Sequence, residues 1–371
     1  MKLTIEKERL AYSIKMVAKA MGTNSTIPVL SGIHINAASD GVIFETTDLD
    51  TSIRHIEEAL IEEQGATVVP GKLFGDIVGS LPKEAVILET LGEKLSIRCG
   101  STAYEIATLN PQDFPKFPQI IPTRSLELST AQLTGMIKRV GKAVSRDVSR
   151  AVLTGVYFEL KDAELSLVAT DSYRLAIAKG SIESKPSAPK VEDMDTIIPG
   201  SILDEVGRLS LDEEFVTVGE TENQVLFQFG STTFIARKIE GNYPNYKQII
   251  PAQKNVSVVV ETEPLLTAVR RVSIVVKNAS PIKFVLHGDT QQLEVSAQTP
   301  DIGEASESIP AQIDGEDMEI GFNHQYILDG LSVAGAPTLL FEAQTSIKPG
   351  IFKSIGSEDY FYLTMPVRLE R

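Results

Sequence analysis

Cys99 is the only cysteine in 371 residues. A disulfide within the chain is therefore impossible, and a cysteine-rich metal site has no ligands. A lone cysteine of this kind is expected to be a small buried side chain, and such sparse use suits a reducing cytoplasm. Tryptophan is absent and aromatic residues make up only 6%, which leaves little with which to stack single-stranded bases. Histidine is scarce too: His34, His55, His287 and His324 complete the set. The chain has no G-x-x-x-x-G-K-[ST] loop, no G-x-S-x-G elbow and no H-E-x-x-H pair, so the common signatures of nucleotide, ester and zinc-dependent peptide hydrolysis are missing. No window approaches the roughly 20 apolar residues of a membrane span. The start, Met1-Lys2-Leu3-Thr4-Ile5-Glu6-Lys7-Glu8, alternates apolar and charged residues and lacks a signal-peptide core. A cytoplasmic protein without cofactor or metal is expected.

What is present is ordinary in amount. Apolar residues make up 42% and charged residues 23%, as in soluble folded proteins. The length suits two or three domains. The net charge is −15, which by itself argues against a nucleic-acid partner. Net charge is a sum, however, and charges beyond a Debye length are screened. What matters is where the 35 Lys and Arg sit.

Their placement follows an internal repeat. Leu10-Ala-Tyr-Ser-Ile-Lys-Met-Val-Ala-Lys-Ala20 returns as Leu133-Thr-Gly-Met-Ile-Lys-Arg-Val-Gly-Lys-Ala143, with six identities at one offset. A fainter third copy starts at Leu265, where Val269, Arg270 and Val272 match Ile14, Lys15 and Val17. Val29-Leu30-Ser31-Gly32-Ile33 returns as Val152-Leu153-Thr154-Gly155-Val156, and Thr47-Asp48 as Thr170-Asp171. Val69-Pro70-Gly71-Lys72-Leu73 returns as Ile198-Pro199-Gly200-Ser201-Ile202. Phe114-Pro115 and Tyr243-Pro244 close the first two copies. Three related domains are expected over 1–122, 123–252 and 253–371.

Each copy shows one plan. An amphipathic helix comes first, its Leu10, Ile14, Val17 and Met21 at helical spacing. Alternating strands follow, such as Val42–Thr46 and Leu165–Ala169. A second short helix follows a Pro-Gly turn near 72–81, 201–209 and 324–332, and further strands finish the unit. Strands joined by short turns give antiparallel sheets, so the class is α+β. On the first helix Lys15 and Lys19 point about 140° and 180° away from Leu10. Lys138 and Lys142 repeat them, Arg270 keeps the charge in the third copy, and Arg139 and Arg271 widen the stripe. One basic stripe is only a solvated face. Its recurrence suggests cations offered to a polyanion backbone without sequence reading.

Several blocks closely resemble the bacterial sliding clamp family: Met1–Glu6, Ile27-Pro28-Val29-Leu30-Ser31, Ala169-Thr170-Asp171-Ser172-Tyr173-Arg174-Leu175, Gly241-Asn242-Tyr243-Pro244-Asn245-Tyr246 and Met365-Pro366-Val367-Arg368-Leu369. The resemblance spans the chain in the family's order. It implies a DNA polymerase III beta subunit, a non-catalytic processivity factor. Two crescent protomers would join head to tail, with helices lining a hole around duplex DNA and sheets forming the rim. The implied partners are double-stranded DNA, the polymerase III catalytic subunit, the clamp loader, other DNA polymerases and repair proteins.

By motif, the resemblance places a partner-peptide pocket at Leu153, Thr170, Ser172, Tyr173, Arg174, Leu175, Pro244, Gln248, Ile249, Asn323, Tyr326, Leu363, Met365, Pro366, Val367, Arg368 and Leu369. Its apolar members suit peptide anchors, and Arg174 is expected to hold a peptide acid or carbonyl. Tyr173 stands where many members carry His, and Gln248 where many carry Arg. DNA would meet Lys15, Lys19, Lys138, Arg139, Lys142, Arg270 and the loop residues Arg146 and Arg150. Asn24 stands where a basic residue is common, which would weaken that contact. The dimer seam would use Tyr104 and Ile106 on an edge strand, with Ile274 and Val275 in the third domain's helix.

Two other classes compete. A hydrolase using Asp48 and Asp171 is disfavoured, because both end strands where Asp caps turns. A repeat scaffold that binds proteins but does not encircle DNA would leave the basic stripe without a purpose.

Overall fold

The computed structural model describes residues 1–22, 26–182, 192–277, 280–356 and 358–369. Asn24 lies outside the described residues. Six α-helices are described: α1 (Lys7–Val17), α2 (Gly71–Ser80), α3 (Thr130–Gly141), α4 (Gly200–Leu209), α5 (Thr262–Val272) and α6 (His324–Leu331). They fall in pairs, a longer and then a shorter helix in each repeat. In α1, Leu10, Ile14 and Val17 are buried together with Ser13 and Met16. The Ser13 hydroxyl is satisfied by donating to the Arg9 carbonyl at 2.8 Å. In α5 the buried stripe is Leu265, Leu266, Ala268, Val269 and Val272. Burying such side chains contributes about 1.5–3 kcal/mol each, which fixes which face of each helix meets its sheet. The opposite face is left to polar residues, and Lys15 and Lys138 are exposed there. Lys19 lies on a 3-10 turn (Ala18–Ala20) that extends α1, and Lys142 lies in the turn after α3.

Among the described residues all strand pairs are antiparallel and form four sheets. The molecule divides into two compact units, one gathering residues 1–131 and 205–238, the other 132–182, 193–204 and 239–369. The middle repeat is thus shared between units. In the first unit a five-stranded sheet runs Leu60–Glu63, Lys2–Glu6, Ala85–Leu91, Lys94–Cys99, Thr102–Ala107. An eight-stranded sheet runs Arg124–Ser129, Phe215–Glu220, Gln224–Phe229, Thr232–Arg237, Thr51–Glu57, Gly41–Thr47, Gly32–Ala38, Gly65–Pro70. In the second unit a nine-stranded sheet runs Met194–Pro199, Gly155–Lys161, Glu164–Thr170, Arg174–Ser181, Tyr360–Thr364, Gly350–Ser354, Thr338–Ala343, Val256–Glu261, Gln312–Gly315. A four-stranded sheet runs Gly303–Pro310, Gln292–Thr299, Ile282–His287, Met318–Phe322.

The two large sheets each join strands of successive repeats. In the first, Ile235 lies opposite Ser52; in the second, Leu363 lies opposite Leu175. The two small sheets end on open strands, Thr102–Ala107 and Gly303–Pro310. Cys99 is buried as a free thiol. Ile106 departs from expectation: at 6% exposure it packs inside its own sheet, opposite Leu95, while Tyr104 stays open. The seam residues Ile274 and Val275 sit in a 3-10 turn (Ser273–Val275) after α5, not in the helix itself.

Candidate functional site

The site grows from a repeated hairpin turn. Asp171 Oδ1 accepts from the backbone N–H groups of Tyr173 and Arg174 at 2.9 and 3.0 Å. Asp48 Oδ1 does the same for Asp50 and Thr51 at 3.0 and 2.7 Å. Both aspartates are therefore structural caps. Each turn needs one left-handed residue, Leu49 at φ 81° and Ser172 at φ 79°. The turn aims Tyr173 outward, 59% exposed. Its carbonyl accepts from Met365 N at 2.8 Å, which sets the strand end of the third repeat beside it.

Below lies an apolar floor. Leu175 and Leu363 are fully buried and cluster with Val168, Ile177, Tyr246 and Ile351. Tyr243 stacks on Tyr157 with centroids 5.2 Å apart. Around the floor, Ile249 is 51% and Met365 41% exposed, and Pro244 and Gln248 are exposed beside them. Leu153 and Thr170 are buried, and Thr170 Oγ1 donates to the Arg174 carbonyl at 2.6 Å. Burial pushes the Tyr246 phenol up to about 12 and raises Tyr243 and Tyr362 as well. These hydroxyls stay neutral at physiological pH, so the buried cluster carries no charge.

Arg174 is already engaged within the chain. Its Nε donates to Asp171 at 3.0 Å and its Nη1 to Asp329 at 2.6 Å. Its guanidinium also lies 4.4 Å from the centroid of the Tyr326 ring. Burial works against its charge, but Tyr362, Asp329 and Asp171 outweigh this and raise its pKa. With its side chain only 10% exposed, Arg174 clamps α6 to the turn through Nε and Nη1. Asn323 has a similarly structural part: its Oδ1 accepts from Gln325 N and Tyr326 N and caps α6. The Tyr362 hydroxyl donates to the Tyr326 carbonyl at 2.8 Å. Val367 N donates to the Gly321 carbonyl at 2.8 Å. A Cβ on Gly321 would meet the Val367 carbonyl and Leu369, so glycine is what lets the last segment close in. Pro366 is half-buried and Arg368 exposed along that segment.

The first junction uses the same backbone with different side chains. Arg237 N donates to the Asp50 carbonyl at 3.0 Å, matching Met365 on Tyr173. Where the second junction has Leu175 and Met365, the first has Ser52 and Arg237, and Ser52 shares a hydrogen bond with Thr47 Oγ1 at 2.9 Å. Arg237 pairs with Asp50 at 3.5 Å. Of the two scaffolds, the second alone carries an apolar floor.

Among the residues expected to face DNA, Lys15, Lys138, Lys142 and Arg146 are exposed. The others are engaged: Lys19 pairs with Glu205 at 3.4 Å, Arg270 with Glu263 at 3.6 Å and Arg150 with Asp147 at 2.8 Å. Arg139 is half-buried and bonds Asp359 at 2.7 Å, so it fastens structure and is a poor phosphate ligand. Arg271 pairs with Glu307. The sequence did not reveal Asp329 or Asp359 as partners; each lies far along the chain from its arginine. Among the described residues no group of His, Cys, Asp or Glu could hold a metal ion, and no helix is long and apolar enough to cross a membrane.

Repeated helix pairs on joined sheets, with one apolar seat at a junction, define a clamp-type binding protein. The models of the DNA polymerase III beta subunit match in order: the N-terminal domain over residues 1–118, the central domain over 127–245 and the C-terminal domain over 247–368. The chain is 33% identical to the beta sliding clamp of Bacillus subtilis over 99% of its length and all of that protein's. It is 30% identical to that of Streptomyces coelicolor, with both chains fully covered. Among solved structures, the Bacillus subtilis DNA polymerase sliding clamp superposes with a TM-score of 0.95 at 32% identity, covering both chains fully. A Pseudomonas aeruginosa sliding clamp bound to griselimycin gives 0.92 at 26%, again over both full chains. The chain belongs to the DNA polymerase III beta subunit family, the beta sliding clamps, which are non-catalytic processivity factors. The likeness supports the clamp reading over the non-encircling scaffold.

Proposed function

We propose that two copies of this chain close head to tail into a ring around duplex DNA. The ring tethers the polymerase III catalytic subunit, the clamp loader, other DNA polymerases and repair proteins through short peptides. Those peptides lie over the buried Leu175–Leu363 cluster and touch the exposed Tyr173, Pro244, Gln248, Ile249 and Met365. Lys15, Lys138, Lys142, Arg146 and Arg270 face the DNA, which is held without sequence reading, in the cytoplasm on the nucleoid. The domain limits are 1–122, 123–252 and 253–371.

The observation that carries this reading is the pair of open sheet edges. Inside the chain, each junction pairs the last strand of one repeat's sheet with the edge hairpin of another's. The strand Thr102–Ala107 and the strand Gly303–Pro310 hold the equivalent places and pair with nothing on their outer sides among the described residues. A five-stranded and a four-stranded sheet joined across two copies would make a nine-stranded sheet like the one already present. Open edges invite such pairing, and a contact between unlike surfaces that closes makes a ring.

Repeat equivalence gives the expected register. Ala305 corresponds to Ala176 and Tyr104 to Tyr362, which are paired in the second unit. Tyr104 then faces Ala305 of the partner subunit, and Ala103 faces Ser306 of the partner subunit. Directly opposed residues on paired strands lie within disulfide range. The double variant Ala103→Cys with Ser306→Cys is expected to oxidise to a covalent dimer, while each single variant is not. A dimer in sedimentation that fails to cross-link would overturn the register; a persistent monomer would overturn the ring.

A further inference from the structure

The repeated turn differs in kind at its left-handed position. Leu49 is an exposed apolar side chain. Ser172, its counterpart, accepts a hydrogen bond from Arg150 Nη1 at 2.9 Å. Arg150 also donates from Nε to Asp147 Oδ2 at 2.8 Å. Asp147 Oδ1 in turn accepts from Ser149 N at 3.1 Å and caps the 3-10 segment Val148–Thr154, which carries Leu153. One guanidinium therefore spans from the segment bearing Leu153 to the turn bearing Tyr173, across one end of the apolar site. It is exposed, as is Asp147. Exposed ion pairs hold weakly, whereas a phosphate offers a guanidinium a bidentate, charge-assisted partner. Arg146 stands exposed on the same loop and adds to the attraction.

We propose that Arg150 is a gate shared by two ligands. In the free protein it bridges the Leu153 segment to Ser172 and closes that end of the site. Backbone phosphates of a threaded duplex draw it away and open the site to an apolar peptide. This rests on the reading of the Leu175–Leu363 floor as the peptide seat. Because binding free energies are linked, the peptide strengthens the hold on DNA by the same factor. A clamp on DNA would then recruit partners in preference to a free one.

The test titrates griselimycin, the ligand of a related clamp, onto the full-length protein by calorimetry. Titrations run with and without a saturating short blunt duplex, which a ring can thread, at fixed ionic strength. The duplex is expected to tighten wild-type binding at least about fivefold, the smallest effect usual for coupled sites. Ser172→Gly removes the hydroxyl and keeps a residue suited to positive φ; Arg150→Ala removes the cation. Both variants are expected to bind griselimycin without duplex as tightly as the wild type does with it, and to show no duplex response. An unchanged wild-type affinity, or a full duplex response in Ser172→Gly, overturns the gate. Absence of griselimycin binding to wild type and variants alike overturns the reading of the floor instead.

Discussion

Replacing Ile249 and Met365 together by serine tests the proposed peptide seat. Both belong to the proposed seat and are 51% and 41% exposed. Folding has already gained what their buried halves contribute; a ligand on the floor covers the rest. Full burial of an Ile or Met side chain contributes about 1.5–3 kcal/mol, so the exposed half of each leaves about 1 kcal/mol for the ligand. Losing both costs about 2 kcal/mol of binding, or about 30-fold in Kd. Calorimetric titration with griselimycin reads that change directly. Losing the buried halves costs folding a comparable amount, about 2 kcal/mol, so the urea midpoint should fall while unfolding stays cooperative. An affinity within about threefold of wild type would refute the placement of the peptide seat. A variant that no longer unfolds cooperatively would show that these side chains belong to the core and not to an exposed rim.

Other outcomes follow from the same contacts. Arg174→Ala leaves Asp171 and Asp329 facing each other without their shared cation. Breaking a largely buried pair of this kind costs about 3 kcal/mol, to be read as a lower urea midpoint. An unmoved midpoint would mean the network is idle. His55 predicts a pH dependence. Burial lowers its pKa from the ordinary 6.5, against the pull of Glu57 and Glu213. The folded state resists a proton that the unfolded chain accepts, so stability is level above pH 6.5 and falls as pH drops below it. Thermal unfolding on either side of that pH, compared with a His55→Phe variant, checks the sign; equal slopes in the two proteins would remove His55 from the account.

Local features were legible in the sequence because they are local. The stripe Leu10, Ile14, Val17 announced α1, and Pro70-Gly71 and Pro199-Gly200 announced the helices that follow. Asp48 and Asp171 read as turn caps because an aspartate at a strand end bonds the next two N–H groups. What stayed hidden depends on pairing between distant strands. Nothing near Arg174 names Asp329, 155 residues on. Nothing near Arg139 names Asp359, 220 residues on. Ile106 and Tyr104 alternate onto the same strand face, and only the depth of the neighbouring sheet separates a buried residue from an open one. The repeat announced three related domains, and three family domains match in that order, but the way their strands join into sheets across repeats was not legible. The same pairing makes the first junction polar and the second apolar, a contrast that emerges once Ser52 and Leu175 are seen as equivalents.

Enclosure is the central claim, and topology tests it most directly. The protein is loaded onto nicked circular duplex, passed through a sizing column at moderate salt, and compared with the same sample cut once by a restriction enzyme. Retention on the circle and escape from the cut ends is the predicted result. Equal retention or equal loss on both forms would contradict it, because a protein held by adhesion does not sense whether its DNA has ends.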